Sequence, residues 1–368
     1  MTTSRTVTLS QVAKYLKHHF KKQQPVMIWG SPGVGKSDLV ESVSNSYQNS
    51  YLIDVRLSLW DPTDIKGIPF FNSTTQTMEW APPGELISEQ DANQYSTVVL
   101  FLDELNGASP ATQAAAYQLI LNRRVGTYKL PDNVVVVAAG NKDSDRGITY
   151  RMPKPLANRF VHYEIRVDFD DWLNWAVNHN QHPDVIGYLT HCKDDLYQFD
   201  PKSDDKSFAT PRTWSVVSAL LYDAMDFTDH EITDMVAAAV GEGIAIKFNA
   251  HRKVSSMLPD PRRILSGEVT KLKTNEPSAL YSISASLAYE LKTVYEKITL
   301  GTSTIDVFNS QFEHFLKFIM NAFQPEMAVM AVRILSTNYK IRLPLTKLEA
   351  GKEFIKLHGD LVLEANHP

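Results

Sequence analysis

Through the first 170 residues, short unbroken apolar runs alternate with stretches of helical period, which predicts a parallel α/β sheet. Val26-Met-Ile-Trp-Gly30 reads as a compact strand ending in glycine, and residues 38–48 follow as an amphipathic helix. Tyr51 to Val55 and Val98 to Leu102 read as the next two strands. The latter is apolar throughout, as a strand covered on both faces should be. Pro110 to Leu121 is alanine-rich and predicts a helix, with Ser109 as its N-cap and Pro110 in its first turn. Val134 to Ala139 is a fourth strand, and Val161 to Val167 alternates apolar and polar residues like a fifth, at the sheet edge.

Beyond Asp170 the β-type runs fade. Trp172, Trp175 and Ala176, then Val185, Ile186 and Leu189, have helical spacing, which makes the tryptophans core residues of a helical domain. Residues 194–207 are polar and predict a loop. Helices are expected over 212–225, 231–250, 279–297, 305–323 and 325–336, with Arg262 and Arg263 at a surface helix start after two prolines. The expected layout is an α/β core over 1–168, a helical domain over 169–255 and a helical extension over 256–368. The core carries insertions at about 61–86 and 123–133.

Composition narrows the class only a little. The 368 residues are 43% hydrophobic and 21% charged, values of an ordinary globular chain. No run approaches the roughly 18 consecutive apolar residues of a membrane span, and the N-terminus lacks the apolar core of a signal peptide. The single cysteine, Cys192, excludes an internal disulfide or cysteine-based zinc cluster and reads as a buried or idle thiol. These features predict a cytoplasmic protein without membrane insertion. With 37 basic and 42 acidic residues the net charge is −5, so no global basic field points to nucleic acid. The eleven histidines include His18-His19 but no metal-type pair.

The strongest chemical signal is Gly30-Ser-Pro-Gly-Val-Gly-Lys-Ser37, a G-x-x-x-x-G-K-S run between a predicted strand and a predicted helix. Glycines at 30, 33 and 35 let backbone N–H groups curl round phosphate oxygens, with Ser31, Pro32 and Val34 completing the loop. The helix N-terminus adds its partial positive charge. Lys36 is expected to reach the β and γ phosphates, and the Ser37 hydroxyl to coordinate Mg²⁺.

About 66 residues further on, the apolar run Val98 to Leu102 ends in Asp103-Glu104. Ligands bind at this carboxyl end of strands in open α/β sheets. Asp103 would hold magnesium through water or through Ser37. Glu104 would polarise an attacking water as general base. Together the two motifs predict a protein that binds and hydrolyses a nucleoside triphosphate.

At this point residues 8–255 resemble the AAA+ ATPases, and within them the MoxR-like group. The resemblance implies a P-loop NTPase sheet with a helical lid. It implies that Asn141, in Ala-Ala-Gly-Asn after the fourth strand, is the sensor 1 residue that positions water. Leu156-Ala-Asn-Arg-Phe160 is similar to the family's finger segment, so Arg159 would be inserted beside the γ-phosphate of a neighbouring subunit, with Arg146 and Arg151 as nearby competitors. Thr210-Pro-Arg-Thr213 resembles sensor 2, making Arg212 the lid's contact to nucleotide. Two hairpins, Ile68 to Phe71 with Thr77 to Trp80 and a second from Arg124 towards Asn133, match the hairpins that face the pore or a partner in such rings. The group implies an ATP- and Mg²⁺-dependent ring, a hexamer. It would remodel a protein client beside a separate von Willebrand factor A domain protein. This chain has no D-x-S-x-S run of its own.

Two other functions compete. A nucleic-acid translocase or helicase-type motor is opposed by the acidic balance and by hairpins holding only Lys66, Arg123, Arg124 and Lys129 as cations. A nucleotide-dependent assembly switch without turnover would need none of Glu104, Asn141 and Arg159.

Overall fold

In a computed structural model of the chain, residues 5–364 are described, apart from 82, 146–148, 273 and 275. They divide into two compact units, Met1–Asp168 with Asp200–Asp204, and Phe169–Phe199 with Asp205–Pro368.

The first unit is built on a sheet of six strands: β1 (Thr6–Val7), β2 (Val26–Trp29), β3 (Ser50–Arg56), β4 (Thr97–Asp103), β5 (Val134–Gly140) and β6 (Val161–Ile165). Their order is β1-β6-β2-β5-β4-β3 and every pairing is parallel. It is the AAA+ type of P-loop α/β fold, with a helical region following it. Every residue of β5 is buried, consistent with its central position and its unbroken Val-Ala run.

One sequence expectation is corrected here. The strand beginning at Val161 ends at Ile165 and is interior, because Thr6 and Val7 pair with Glu164 and Ile165 on its outer side. A two-residue strand has too few positions to show a period. The signal that could have found it is Thr8-Leu-Ser-Gln11: Thr8 caps the helix α1 (Leu9–Lys21) in a reciprocal box with Gln11, which leaves the preceding residues extended.

α2 (Lys36–Asn45) follows β2, and α3 (Pro110–Asn122) follows β4, with the Ser109 hydroxyl accepting from the Thr112 N–H. The first hairpin pairs Ile68–Asn72 with Thr77–Ala81; the second is short, Arg124–Val125 against Tyr128–Lys129. They touch: Thr127 donates its hydroxyl to the Trp80 carbonyl, and a Cβ at Gly126 would meet the Lys66 carbonyl at 3.1 Å.

The second unit is helical. Trp214, Tyr188 and Phe248 form an aromatic nucleus with ring centroids 5.3–5.6 Å apart. Trp172 is buried as well. The continuous helix expected over 231–250 is two helices, Asp229–Val240 and Glu242–Ser256. Gly241 separates them in an extended positive-φ conformation (φ 94°, ψ 151°) that a helix cannot contain. Arg262 lies in the first turn of Pro261–Leu265, capped by Asp260. Stretches 169–255 and 256–368 share this unit. At Gly187 their backbones come close: a Cβ there would stand 3.0 Å from the Ser282 Cα. Cys192 is half-buried, and burial followed by the charge of Asp195 pushes its thiol up. No helix among the described residues is long and apolar enough to cross a membrane.

Candidate nucleotide site

The loop from Gly30 to Gly35 joins β2 to α2. Gly33 (φ 73°) and Gly35 (φ 92°) adopt left-handed backbone, the conformation that only glycine takes without penalty. Gly35 is the N-cap of α2 and offers no side chain to its first N–H groups, leaving them to an outside acceptor. Val34 is buried, and a Cβ at Gly30 would press on its methyl at 3.1 Å. The Ser31 hydroxyl donates to Asp145 Oδ1 (3.1 Å), whose other oxygen accepts from the Lys142 N–H, so the loop is tied to the segment after β5. Pro32 stands in the turn that follows Ser31.

Lys36 Nζ donates to the carbonyls of Gly30 (2.6 Å) and Ser31 (3.1 Å) and to Asn141 Oδ1 (3.0 Å). Ser37 Oγ donates to Asp103 Oδ2 at 3.0 Å, and Asp103 Oδ1 accepts the Glu104 N–H at 2.8 Å. Thus β2, β4 and β5, adjacent or one strand apart, bring Lys36, Ser37, Asp103, Glu104 and Asn141 to the carboxyl edge of one sheet. Glu104 has a left-handed backbone (φ 54°), uncommon for a residue with a Cβ and costing on the order of 1–3 kcal/mol. Its carboxylate accepts a hydrogen bond from the Ser58 hydroxyl and lies 3.9 Å from Arg56 Nε. Nothing in the sequence marks Ser58 or Arg56: Arg56 ends β3 and Ser58 lies in the 3₁₀ turn after it, and β3 is a neighbour of β4 only through the sheet order.

The residues fit ATP with Mg²⁺. The loop amides and Lys36 suit a polyphosphate, while Ser37 and Asp103 supply hard oxygen donors. Burial first, and then the charge of Asp103, hold the Asp54 carboxyl above its usual range, with Glu41 adding to the effect and Arg56 opposing it. A divalent cation beside Asp103 would relieve that crowding of negative charge.

The arginines are placed differently. Arg159 lies in the same unit, exposed on the turn after Lys154–Ala157, and its side chain has no partner among the described residues. The turn itself is anchored. Leu156 and Phe160 are buried on either side, and Trp29 Nε1 donates to His162 Nδ1 at 2.9 Å. Indole is only a donor, so His162 Nε2 carries the proton and donates to the Ala157 carbonyl (2.7 Å). Arg151 is also exposed, and Arg146 lies outside the described residues. Arg212 is exposed in the second unit, in the first turn of Pro211–Tyr222. Thr210 and Thr213 cap that helix reciprocally, so the Thr-Pro-Arg-Thr run has a structural duty of its own.

Residues 25–162 match the family described as "ATPase family associated with various cellular activities (AAA)". The matched stretch carries the glycine loop, the Asp103-Glu104 pair and Asn141. Among curated proteins, the chain is 27% identical over 149 residues to the uncharacterized protein YeaC of Bacillus subtilis (strain 168), covering 39% of this chain and 42% of that one. It is 25% identical over 187 residues to midasin of Giardia intestinalis, covering 49% of this chain and 4% of midasin. The chain therefore matches less than half the length of these relatives. Among solved structures, a RuvB mutant of Thermotoga maritima aligns at a TM-score of 0.35 and 17% identity, over 79% of this chain and 87% of that one.

Proposed function

We propose that the protein is a MoxR-like, Mg²⁺-dependent ATPase motor. It works in the cytoplasm as a ring, a hexamer, and remodels a protein client beside a separate von Willebrand factor A domain protein. The carrying observation is the surface that the chemistry leaves unused. Phe71 and Met78 face each other across the first hairpin, 60% and 61% exposed, with Ile68 at 66%. Apolar pairs displayed in this way mark a surface that meets another protein. The hairpins offer little to a phosphate backbone: Arg123 is turned inward onto the carbonyls of Pro131 and Val134, and Lys129 lies 3.9 Å from Asp132.

Within the site, Lys36 and the loop amides would bind the β and γ phosphates. Ser37 and Asp103 would hold Mg²⁺, which supplies charge neutralisation on the transferred phosphoryl group. Glu104 would take the proton of the attacking water, and Asn141 would orient that water. Arg159, free on its anchored turn, would complete the site of the next subunit, while Arg212 would report nucleotide state to the helical lid.

Arg159→Ala is expected to lower turnover by about 10³–10⁵-fold while ATP binding is retained. Mixed with the Lys36→Ala protein, it should regain activity at interfaces where an intact loop meets an intact arginine. Verified co-assembly without recovery would overturn the ring reading of Arg159. Replacing residues 70–79 by a short Gly-Ser turn should leave assembly mass and basal turnover unchanged, and should remove stimulation by a protein client. Light scattering and ATPase rate on one sample decide this. If the rings dissolve, the hairpin is a structural element and the client-contact reading falls.

A further inference from the structure

We propose that Asn106 is a positioning residue for hydrolysis: its buried carboxamide clamps the backbone of Asn141 and sets that side chain against the Glu104 turn. The proposal rests on reading Asn141 as the residue that orients the attacking water.

Asn106 lies two positions after Glu104, in the 3₁₀ turn Leu105–Gly107, and is 2% exposed. Its Nδ2 donates to the Asn141 carbonyl at 2.8 Å, and its Oδ1 accepts the Asn141 N–H at 3.2 Å. One carboxamide thus satisfies both backbone groups of a single residue just past the end of β5. Only an amide does this in one orientation, because it carries a donor and an acceptor side by side. The Asn106 carbonyl in turn accepts the Tyr150 N–H at 2.7 Å, so the chain beyond β5 is fastened to the same point.

The position before Asn141 is shaped to admit the clamp. A Cβ at Gly140 would come within 2.5 Å of Asn106 Oδ1 and 3.0 Å of its Cγ. Met27 Cε, at 2.7 Å, could swing aside, whereas the amide is fixed at both ends. A glycine at the end of β5 is therefore a requirement of Asn106, not of the strand. With its backbone held, Asn141 extends its Oδ1 to Lys36 Nζ. Loop lysine, water-orienting amide and general-base turn become one set of mutually fixed parts. Asn106 itself is buried, so it acts through Asn141 and not on substrate.

The test uses the full chain and four variants: Asn106→Ala, Asn106→Asp, Asn141→Ala and the double alanine variant. Steady-state ATPase rates and binding of a fluorescent ATP analogue are measured for each. Asn106→Ala and Asn106→Asp should each lower kcat by about 10–100-fold, the usual cost of losing a supporting partner. KM and analogue affinity should stay within about threefold of the parent, since the loss falls on the chemical step. Adding Asn106→Ala to Asn141→Ala should cost nothing further, because a residue that acts through another has no effect once that other is gone. Should the alanine variant fail to fold, Asn106→Asp keeps the shape and the acceptor but loses the donor, and carries the test alone. A kcat for either Asn106 variant near the parent's overturns the proposal, as do losses that multiply in the double variant. An unchanged kcat for Asn141→Ala is a different failure: it removes the water-orienting reading of Asn141, and the proposal with it.

Discussion

The Lys36→Ala protein should fail to bind ATP at concentrations that saturate the parent. In the proposed reading Lys36 is the cation that meets the phosphates, and two charge-assisted hydrogen bonds would be lost with it. At about 1.5–3 kcal/mol each, their loss lowers affinity by about 10²–10⁴-fold. Folding should survive. Ser31 and Asn141, two of the three residues whose oxygens Lys36 now serves, are half-buried, so water can replace it there. Calorimetric titration with ATP, paired with a thermal melt, separates the two effects. Affinity within a few-fold of the parent would show that the loop does not bind the phosphates in this way.

Glu104→Gln should produce the opposite combination. ATP binding persists, because Asp103, Ser37 and the loop are intact, while turnover falls by about 10²–10⁴-fold for want of a base. The glutamine amide can still accept from Ser58, so the geometry of the turn is preserved and only basicity is removed. Single-turnover hydrolysis of bound ATP reads the chemical step directly. Hydrolysis at the parent rate would assign the base elsewhere.

Much of the molecule could be read before it was folded. The glycine loop, the strand and helix on either side of it, the Ser109 cap and the Ile68 hairpin are all local features, set by residues within a few positions of one another. The contacts that discipline the site are not local. Ser58 reaches Glu104 across 46 positions, Ser31 reaches Asp145 across 114, and Asn106 reaches Asn141 across 35. Each depends on the strand order β2-β5-β4-β3, which no single stretch of sequence encodes. The misread edge at Val161 has the same origin, because an edge is defined by what lies beside it, and Thr6 and Val7 are 154 or more positions away in the chain by subtraction from Val161. The break at Gly241 was visible as a glycine in an otherwise helical run. What was not visible was Ser207, whose hydroxyl reaches the Ala238 carbonyl and whose own carbonyl a Cβ at Gly241 would meet at 3.2 Å.

The near-contact at Gly187 bears on how this protein can change over generations. Helices Pro183–His191 and Pro277–Thr299 meet almost backbone to backbone, and Lys292 from the second reaches the Val177 carbonyl and Asn180 in the first stretch. A gene that lost its last third would not yield a trimmed protein with a free-standing 169–255 segment. It would expose a groove cut for a missing helix, with the Val177 carbonyl and the Asn180 amide deprived of their ammonium partner. Recombination that shed the tail would therefore not keep the remainder intact.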